Sequence, residues 1–206
     1  MFPTTPILDD FNRSDESPIS DGGKWSYPLL LGDGFFSLVS HQLISTNGSA
    51  IWTDQTWSNV ECYFTIPNTL VPVAGFSILT NVVGLGASPY PNCIDIGYNF
   101  YGVGDSLNYW EINGFNGHSG RVIADFRNQQ LIAGDTVGAR VLNGSITIFR
   151  KTGGVWSIVG TVAGLGSFSA GWIGIDASQS GTAFTDFGGG APVIAPPNPV
   201  IVSFMN

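Results

Sequence analysis

The stretch Thr136-Val137-Gly138-Ala139-Arg140-Val141-Leu142-Asn143-Gly144-Ser145-Ile146-Thr147-Ile148-Phe149-Arg150-Lys151 decides the fold class. Val137, Ala139 and Val141 alternate with small or polar residues, and beyond Asn143-Gly144 the residues Ile146 and Ile148 alternate with Ser145 and Thr147. Successive side chains of a strand point to opposite faces, so this period of two is the mark of a half-buried strand. Asn-Gly between two such runs is the strongest short-range hairpin signal, because a type I′ turn demands positive φ at both central residues. A second hairpin follows, with Ser145–Lys151 returning through Thr152-Gly153-Gly154 into Val155–Val162.

The same pattern extends in both directions. Short alternating segments occur at Ile7–Phe11, Phe35–His41, Ser49–Trp52, Asn59–Ile66, Val73–Asn81, Cys93–Tyr101, Leu107–Asn113, Arg121–Phe126, Trp172–Ala177 and Ala183–Phe187. Gly, Asn and Pro punctuate them, and no Gly-free window shows a convincing apolar i, i+3, i+4, i+7 stripe. Strands at this spacing predict an all-β fold, a β-sandwich or barrel.

Composition narrows the class further. With 206 residues the chain is large enough for one domain plus a short tail. Aromatic residues make up 13%, too many for a disordered chain. Seven basic against fifteen acidic side chains give a net charge of −8, with no run of Lys or Arg. A nucleic-acid partner needs a basic footprint, so none is expected. No apolar run reaches the length of a membrane span, so no membrane insertion is expected either. Cys62 and Cys93 are too few for a disulfide framework and read as two buried thiols or one bridge between neighbouring strands.

The tail has a different texture. Gly188-Gly189-Gly190 reads as a flexible break, and Ala191 to Pro199 carries four prolines. Proline lacks the N–H that a central strand needs, so residues 191–206 are expected to form an extended arm behind a domain spanning 1–190. Val200–Phe204 regains strand character, which suits docking along another subunit's sheet edge or along its own sandwich.

Two segments echo one another. Leu8-Asp9-Asp10-Phe11-Asn12-Arg13 opens the domain, followed by Lys24-Trp25, and Phe184-Thr185-Asp186-Phe187-Gly188-Gly189-Gly190 closes it. Between them stand Gly134-Asp135-Thr136, the two hairpins and Gly171-Trp172-Ile173-Gly174-Ile175. This order resembles the concanavalin A-like lectin/glucanase superfamily in its laminin-G-like branch, whose jelly roll sets the opening segment beside the closing strand. The resemblance covers residues 6 to 190 and implies a concanavalin A-like jelly roll. It also implies a setting, since domains of this look are frequent in phage tail and capsid-associated proteins. Met1 to Asp10 lacks the basic start and apolar block of a secretory signal, so the chain is expected in a virion, made in the host cytoplasm. Its expected partners are other virion subunits or copies of itself, met through residues 191–206, and host glycans.

Catalytic chemistry has little to work with. Glucanases of this superfamily carry two or three acids on one strand, whereas Glu61 and Glu111 each stand alone on theirs. Glycoside hydrolysis needs two carboxyl groups roughly 5–10 Å apart with unequal pKa values. A pair built across strands, Asp95 with Glu111, is the alternative that would make this a glycosidase or lyase. A secreted lectin or adhesion module is the other alternative. His41 and His118 read as strand-end or loop residues, and no nucleophile elbow, zinc spacing or phosphate loop occurs. No enzyme activity and no required cofactor are therefore expected. The one ion the pattern admits is a structural Ca²⁺, which sandwiches that look like this often hold where first and last strands meet, here Asp9, Asp10 and Asp186. The same aspartates serve equally as turn caps that accept backbone N–H groups.

One surface stands out as a binding face. With Ile94, Ile96, Tyr98 and Phe100 in the core, Asp95, Asn99 and Tyr101 face outward, and Trp110 and Ile112 likewise leave Tyr109, Glu111 and Asn113 outside. Asp95, Asn99, Tyr101, Tyr109, Glu111 and Asn113 form the expected carbohydrate-binding set, with aromatic faces to stack on sugar C–H surfaces and amides and carboxylates for hydroxyls. Trp52 and Trp57, flanking Thr53–Thr56 as a turn, are expected to form a second exposed aromatic patch.

Overall fold

Asn143 and Gly144 both take left-handed φ, 49° and 74°, and Leu142 faces Ser145 across the turn, as a type I′ hairpin requires. The computed structural model of the chain describes residues 2–27, 34–68, 70, 74–84, 92–116 and 119–194. Residues 195–206 of the expected arm and His118 lie outside the described residues.

Thirteen strands and no helix occur among the described residues. The smaller sheet runs β12 (Val155–Val162), β11 (Ser145–Thr152), β10 (Thr136–Leu142), β5 (Val60–Thr65), the end of β13 (Gly171–Gly190) and β1 (Ile7–Asp9). The larger sheet runs β9 (Ser119–Arg127), β8 (Tyr109–Asn116), β7 (Asn92–Phe100), β6 (Ala74–Val83), the start of β13 and β4 (Gln42–Trp57). On the far side of β4 lie β2 (Trp25–Ser26) and β3 (Phe36–Val39). All these pairings are antiparallel, and the result is a two-sheet antiparallel β-sandwich: all-β as the alternation predicts, and the jelly roll that the resemblance implies.

One strand belongs to both sheets. Residues 171–184 of β13 pair with β4 and residues 172–177 with β6, after which Thr185 to Gly190 pair with β5. The passage is made at Asp186, whose φ is +54°, and the register shifts between Thr185 and Gly188. Gly188 and Gly189 are buried strand residues, which corrects the reading of this triplet as a flexible break. Gly188 is required by space: a Cβ there would sit 2.2 Å from Cζ of Tyr63. The opening segment does meet the closing strand, with Ile7 opposite Gly188 and Asp9 opposite Phe187.

The core lies between the sheets. Phe64 and Val137 come from the smaller sheet, Phe76, Ile96 and Trp110 from the larger, and all are buried. Phe184 stands where β13 changes sheet and touches both: its ring lies 4.7 Å from Phe64 and 5.7 Å from Phe76, edge-on to each. Trp52 is buried too, packed at 5.3 Å against Trp25, and residues 53–56 continue β4 rather than turning. The expected patch of Trp52 and Trp57 is thus not on the surface as a pair. Cys62 and Cys93 are free and buried.

The N-terminal segment covers the outer face of the smaller sheet. Phe2 stacks on Phe149 at 4.0 Å, and the fully buried Glu61 accepts hydrogen bonds from Arg140 Nε (2.8 Å), Thr4 N (2.6 Å), Thr4 Oγ1 (3.1 Å) and Thr5 Oγ1 (3.2 Å). Glu61 is therefore a clamp for this segment. A buried charge held by a cation and three other donors is costly to expose but stable while every partner is present.

Truncating Phe184 should open a void at the one point where the sheets share a strand. Phe184→Ala is expected to cost about 3–5 kcal/mol in urea unfolding, whereas a loss below about 1 kcal/mol would show that the sheets are held together elsewhere.

Candidate functional site

Strand register builds a transverse row on the outer face of the larger sheet. Ser49 on β4 faces Asp176 on β13, Asp176 faces Ser77 on β6, and Ser77 faces Gly97 on β7. Gly97 in turn faces Glu111 on β8, which faces Asp125 on β9. Directly opposed residues share a face, so these six positions form one line about 24 Å long at roughly 4.8 Å per strand. On one side of it lie Leu79, Asp95 and Asn113, and on the other Gly75, Asn99, Tyr109 and Arg127. The alternation fixes this arrangement, because the opposite faces carry the buried Ile94, Ile96, Tyr98, Trp110 and Ile112.

All six residues expected from the sequence are gathered here. Asp95, Asn99, Tyr109, Glu111 and Asn113 project from β7 and β8, and Tyr101 follows β7 directly. The rings of Tyr101 and Tyr109 stack at 6.4 Å with planes 19° apart, and the Arg127 guanidinium lies 5.1 Å over Tyr109. Tyr101 is 43% exposed, so the platform is open to a ligand. Its loop is pinned by the buried Asn108, whose Nδ2 donates to Gly102 O (2.7 Å) and whose Oδ1 accepts from Tyr101 N (2.7 Å).

Among the residues here that escaped the sequence reading are Asp176, Ser49 and Ser77. Asp176 is the one acid inside the apolar run Trp172–Ala177, and that oddity was the available signal. Ser49 Oγ donates to Asp176 Oδ1 at 2.6 Å, and Asn113 Nδ2 donates to Glu111 Oε1 at 2.7 Å. Ser77 hydrogen-bonds Asp95, yet Asp95 Oδ1 is buried without a hydrogen-bond partner. Burial pushes the Asp95 carboxyl up to about 6 against the Ser77 hydrogen bond, with a contribution from the charge of Glu111. Burial likewise pushes Asp176 up to about 7 against the hydrogen bond from Ser49, aided by the charge of Asp95. Desolvation disfavours the charged form, and neighbouring carboxylates add to it.

The aspartates at the strand junction do different work. Asp9 Oδ1 accepts from Phe11 N (2.8 Å) and Arg13 Nη1 (2.6 Å), and Asp9 Oδ2 accepts from Trp25 Nε1 (2.8 Å). Asp10 Oδ1 accepts from Asn12 N at 2.9 Å, and Asp186 Oδ2 accepts from Thr185 Oγ1 at 3.2 Å. A carboxylate already filled by N–H donors, one of them a guanidinium, does not fit a Ca²⁺ ion. Asp9 and Asp10 accept backbone N–H groups of the opening turn, as the turn-capping alternative has it, whereas Asp186 accepts a side-chain hydroxyl.

The raised carboxyls set the pH dependence of stability. Asp95 and Asp176 bind protons more tightly folded than unfolded, so their contribution is complete below the ordinary carboxylate range and is lost as pH rises through about 6 and about 7. Glu16 acts oppositely: its hydrogen bond from Arg13, and those from Ser20 and Asp21 N–H, hold it at about 2, so its contribution is lost only as pH falls toward that value. The melting temperature is expected to peak near about pH 4–5 and decline toward about pH 8, with Asp176→Asn flattening the decline. A wild-type melting temperature that climbs between those limits would contradict this.

No protein-family model matches the chain, and no curated protein matches it. Solved structures do. The carbohydrate binding module CBM66 from Bacillus subtilis is 12% identical with a TM-score of 0.55, over 82% of this chain and 94% of that one. The exoplasmic/lumenal domain of VIP36 in its Ca²⁺/Man-bound form is 13% identical with a TM-score of 0.58, over 94% and 92%. A prokaryotic beta-1,3-1,4-glucanase (lichenase) derived from a mouse hindgut metagenome is 12% identical with a TM-score of 0.57, over 87% and 99%. Binding modules and a hydrolase thus share one architecture with this chain, and that architecture is the concanavalin A-like jelly roll.

Proposed function

We propose that this chain is a non-enzymatic, lectin-like module that binds glycans on the outer face of its larger sheet. The observation that carries the proposal is the polar row from Ser49 to Asp125 with the stacked Tyr101 and Tyr109 at its side. Aromatic faces suit sugar C–H surfaces, and fixed carboxylates, amides and hydroxyls suit sugar hydroxyls. Rigid strands hold these groups in place, so little ordering entropy is lost on binding. The likeness to CBM66 and to the mannose-bound VIP36 domain supports a sugar as the ligand class.

The setting we propose is the surface of a phage particle, with residues 191–206 as the tether. Val193 N donates to Thr4 Oγ1 at 2.8 Å, on the outer face of the smaller sheet. The described start of the tether, residues 191–194, therefore lies on the side of the sandwich opposite the glycan face, an arrangement that suits presenting one side while anchoring the other.

A hydrolytic reading draws on one observation, the raised pKa of Asp95 near Glu111 and of Asp176 near Asp95. Binding is favoured because Glu111 and Asp176 are each tied to a sheet neighbour, Asn113 and Ser49. Glycan-array binding by the intact chain, followed by affinity measurements with the best ligand, separates the two. Tyr109→Ala is expected to weaken binding roughly tenfold, about 1.4 kcal/mol, and the bound glycan should be recovered uncleaved. Release of new reducing ends that disappears in Glu111→Gln would overturn the binding-only reading.

A further inference from the structure

The notch over Gly97 is a gap built into the row. A Cβ at Gly97 would stand 3.3 Å from Ser77 Oγ and 3.4 Å from Asp95 Oδ1, so only glycine leaves that space open to those two groups. The cavity is about 140 Å³, and among the described residues its walls carry three carboxyl groups, Asp95, Glu111 and Asp176, and no Lys, Arg or His. This is smaller than the roughly 300 Å³ of a drug-sized pocket and suits one end of a single sugar residue.

The balance of donors and acceptors is uneven. The Ser49 and Ser77 hydroxyls are already committed to Asp176 and Asp95, and the Asn113 amide to Glu111. Asp95 Oδ1, buried at the notch, accepts from nothing. Arg127 on β9, which the register sets beside this row, is held by Asp125 (Nε to Oδ2, 2.9 Å) and lies over Tyr109. What the notch lacks is a positively charged donor. An ammonium group supplies three N–H donors and no acceptor, whereas a sugar hydroxyl brings one O–H with lone pairs that would face the carboxylates.

Building on the glycan-binding reading above, we propose that the notch takes a protonated amino group carried on a sugar ring, so that the preferred ligand is a glycan with free amino sugars rather than neutral or N-acetylated ones. Acetylation removes the charge and adds bulk to the nitrogen, and both work against entry. The crowding of three carboxyls gives the preference its strength. Their mutual repulsion and burial favour protonation of Asp95 and Asp176, and an ammonium ion relieves the same repulsion without that proton.

The test is calorimetric titration of the full chain at pH 6 with three tetrasaccharides of equal length: β-1,4-linked glucosamine, its N-acetylated form and the neutral glucose form. An N-acetyl-lysine amide serves as a fourth probe, an ammonium without a sugar. The glucosamine form is expected to bind roughly 10- to 100-fold more tightly than the other two sugars, the range of a charge-assisted hydrogen bond. That ratio should fall toward unity in both Glu111→Gln and Asp176→Asn, with melting curves showing that each variant is folded. Equal affinity for the three sugars would overturn the inference and leave the glycan-binding reading standing. A preference that survives both variants would overturn the assignment to this notch. Lysine amide binding as tightly as the amino sugar would overturn the sugar-borne part. Binding of none of the four would overturn the inference together with the reading on which it rests.

Discussion

A single strand hydrogen-bonded into both sheets is the constraint on which the rest of this molecule depends. β13 spends its first fourteen residues, 171–184, in the larger sheet and its last six, 185–190, in the smaller. The change requires a residue with φ of +54° at Asp186, a ring at Phe184 that packs into both layers, and no side chain at Gly188, where Tyr63 presses in. An aspartate tolerates the left-handed region better than most residues do, since its short polar side chain bonds locally. Each of these demands is met by the closing motif Phe184-Thr185-Asp186-Phe187-Gly188.

The same strand links fold to site. Because β13 sits between β4 and β6, its register sets Asp176 opposite both Ser49 and Ser77. From there β6 and β7 carry the row across to Glu111 and Asp125 without a break in register. A slip of one residue in any of these pairs would turn the polar set into the core and the core set outward. The apolar alternation that buries Ile173, Ile175, Ile96 and Ile112 is therefore also what places the carboxylates on the surface. Core packing and site geometry are two faces of one pattern.

Much of this was legible in the sequence because it is local. Alternation around Asn143-Gly144 located both hairpins, and alternation along 94–101 and 109–113 told inward from outward residues. What was hidden depends on partners far along the chain. Trp172–Ala177 and Ala183–Phe187 read as separate strands because Gln179, Ser180 and Gly181 break the apolar pattern; pairing with β4, with register shifts, carries the strand through the gap. Trp52 reads as a turn neighbour beside Thr53-Asp54-Gln55-Thr56, yet β4 runs straight through it and Trp25 and Phe187 cover the indole. Asp176 and Ser49 are 127 residues apart in sequence and joined by a 2.6 Å hydrogen bond. No local pattern holds that register.

The central claim is that the outer face of the larger sheet, and not the outer face of the smaller one, is the ligand face. Backbone amide chemical-shift mapping of ¹⁵N-labelled full-length protein, titrated with its tightest-binding glycan, addresses it most directly. The account predicts that the largest shifts cluster at Ser77, Gly97, Asn99, Tyr109, Glu111 and Asp176. Shifts centred instead on Thr4, Arg140 and Val193, with the Gly97 row unmoved, would contradict it.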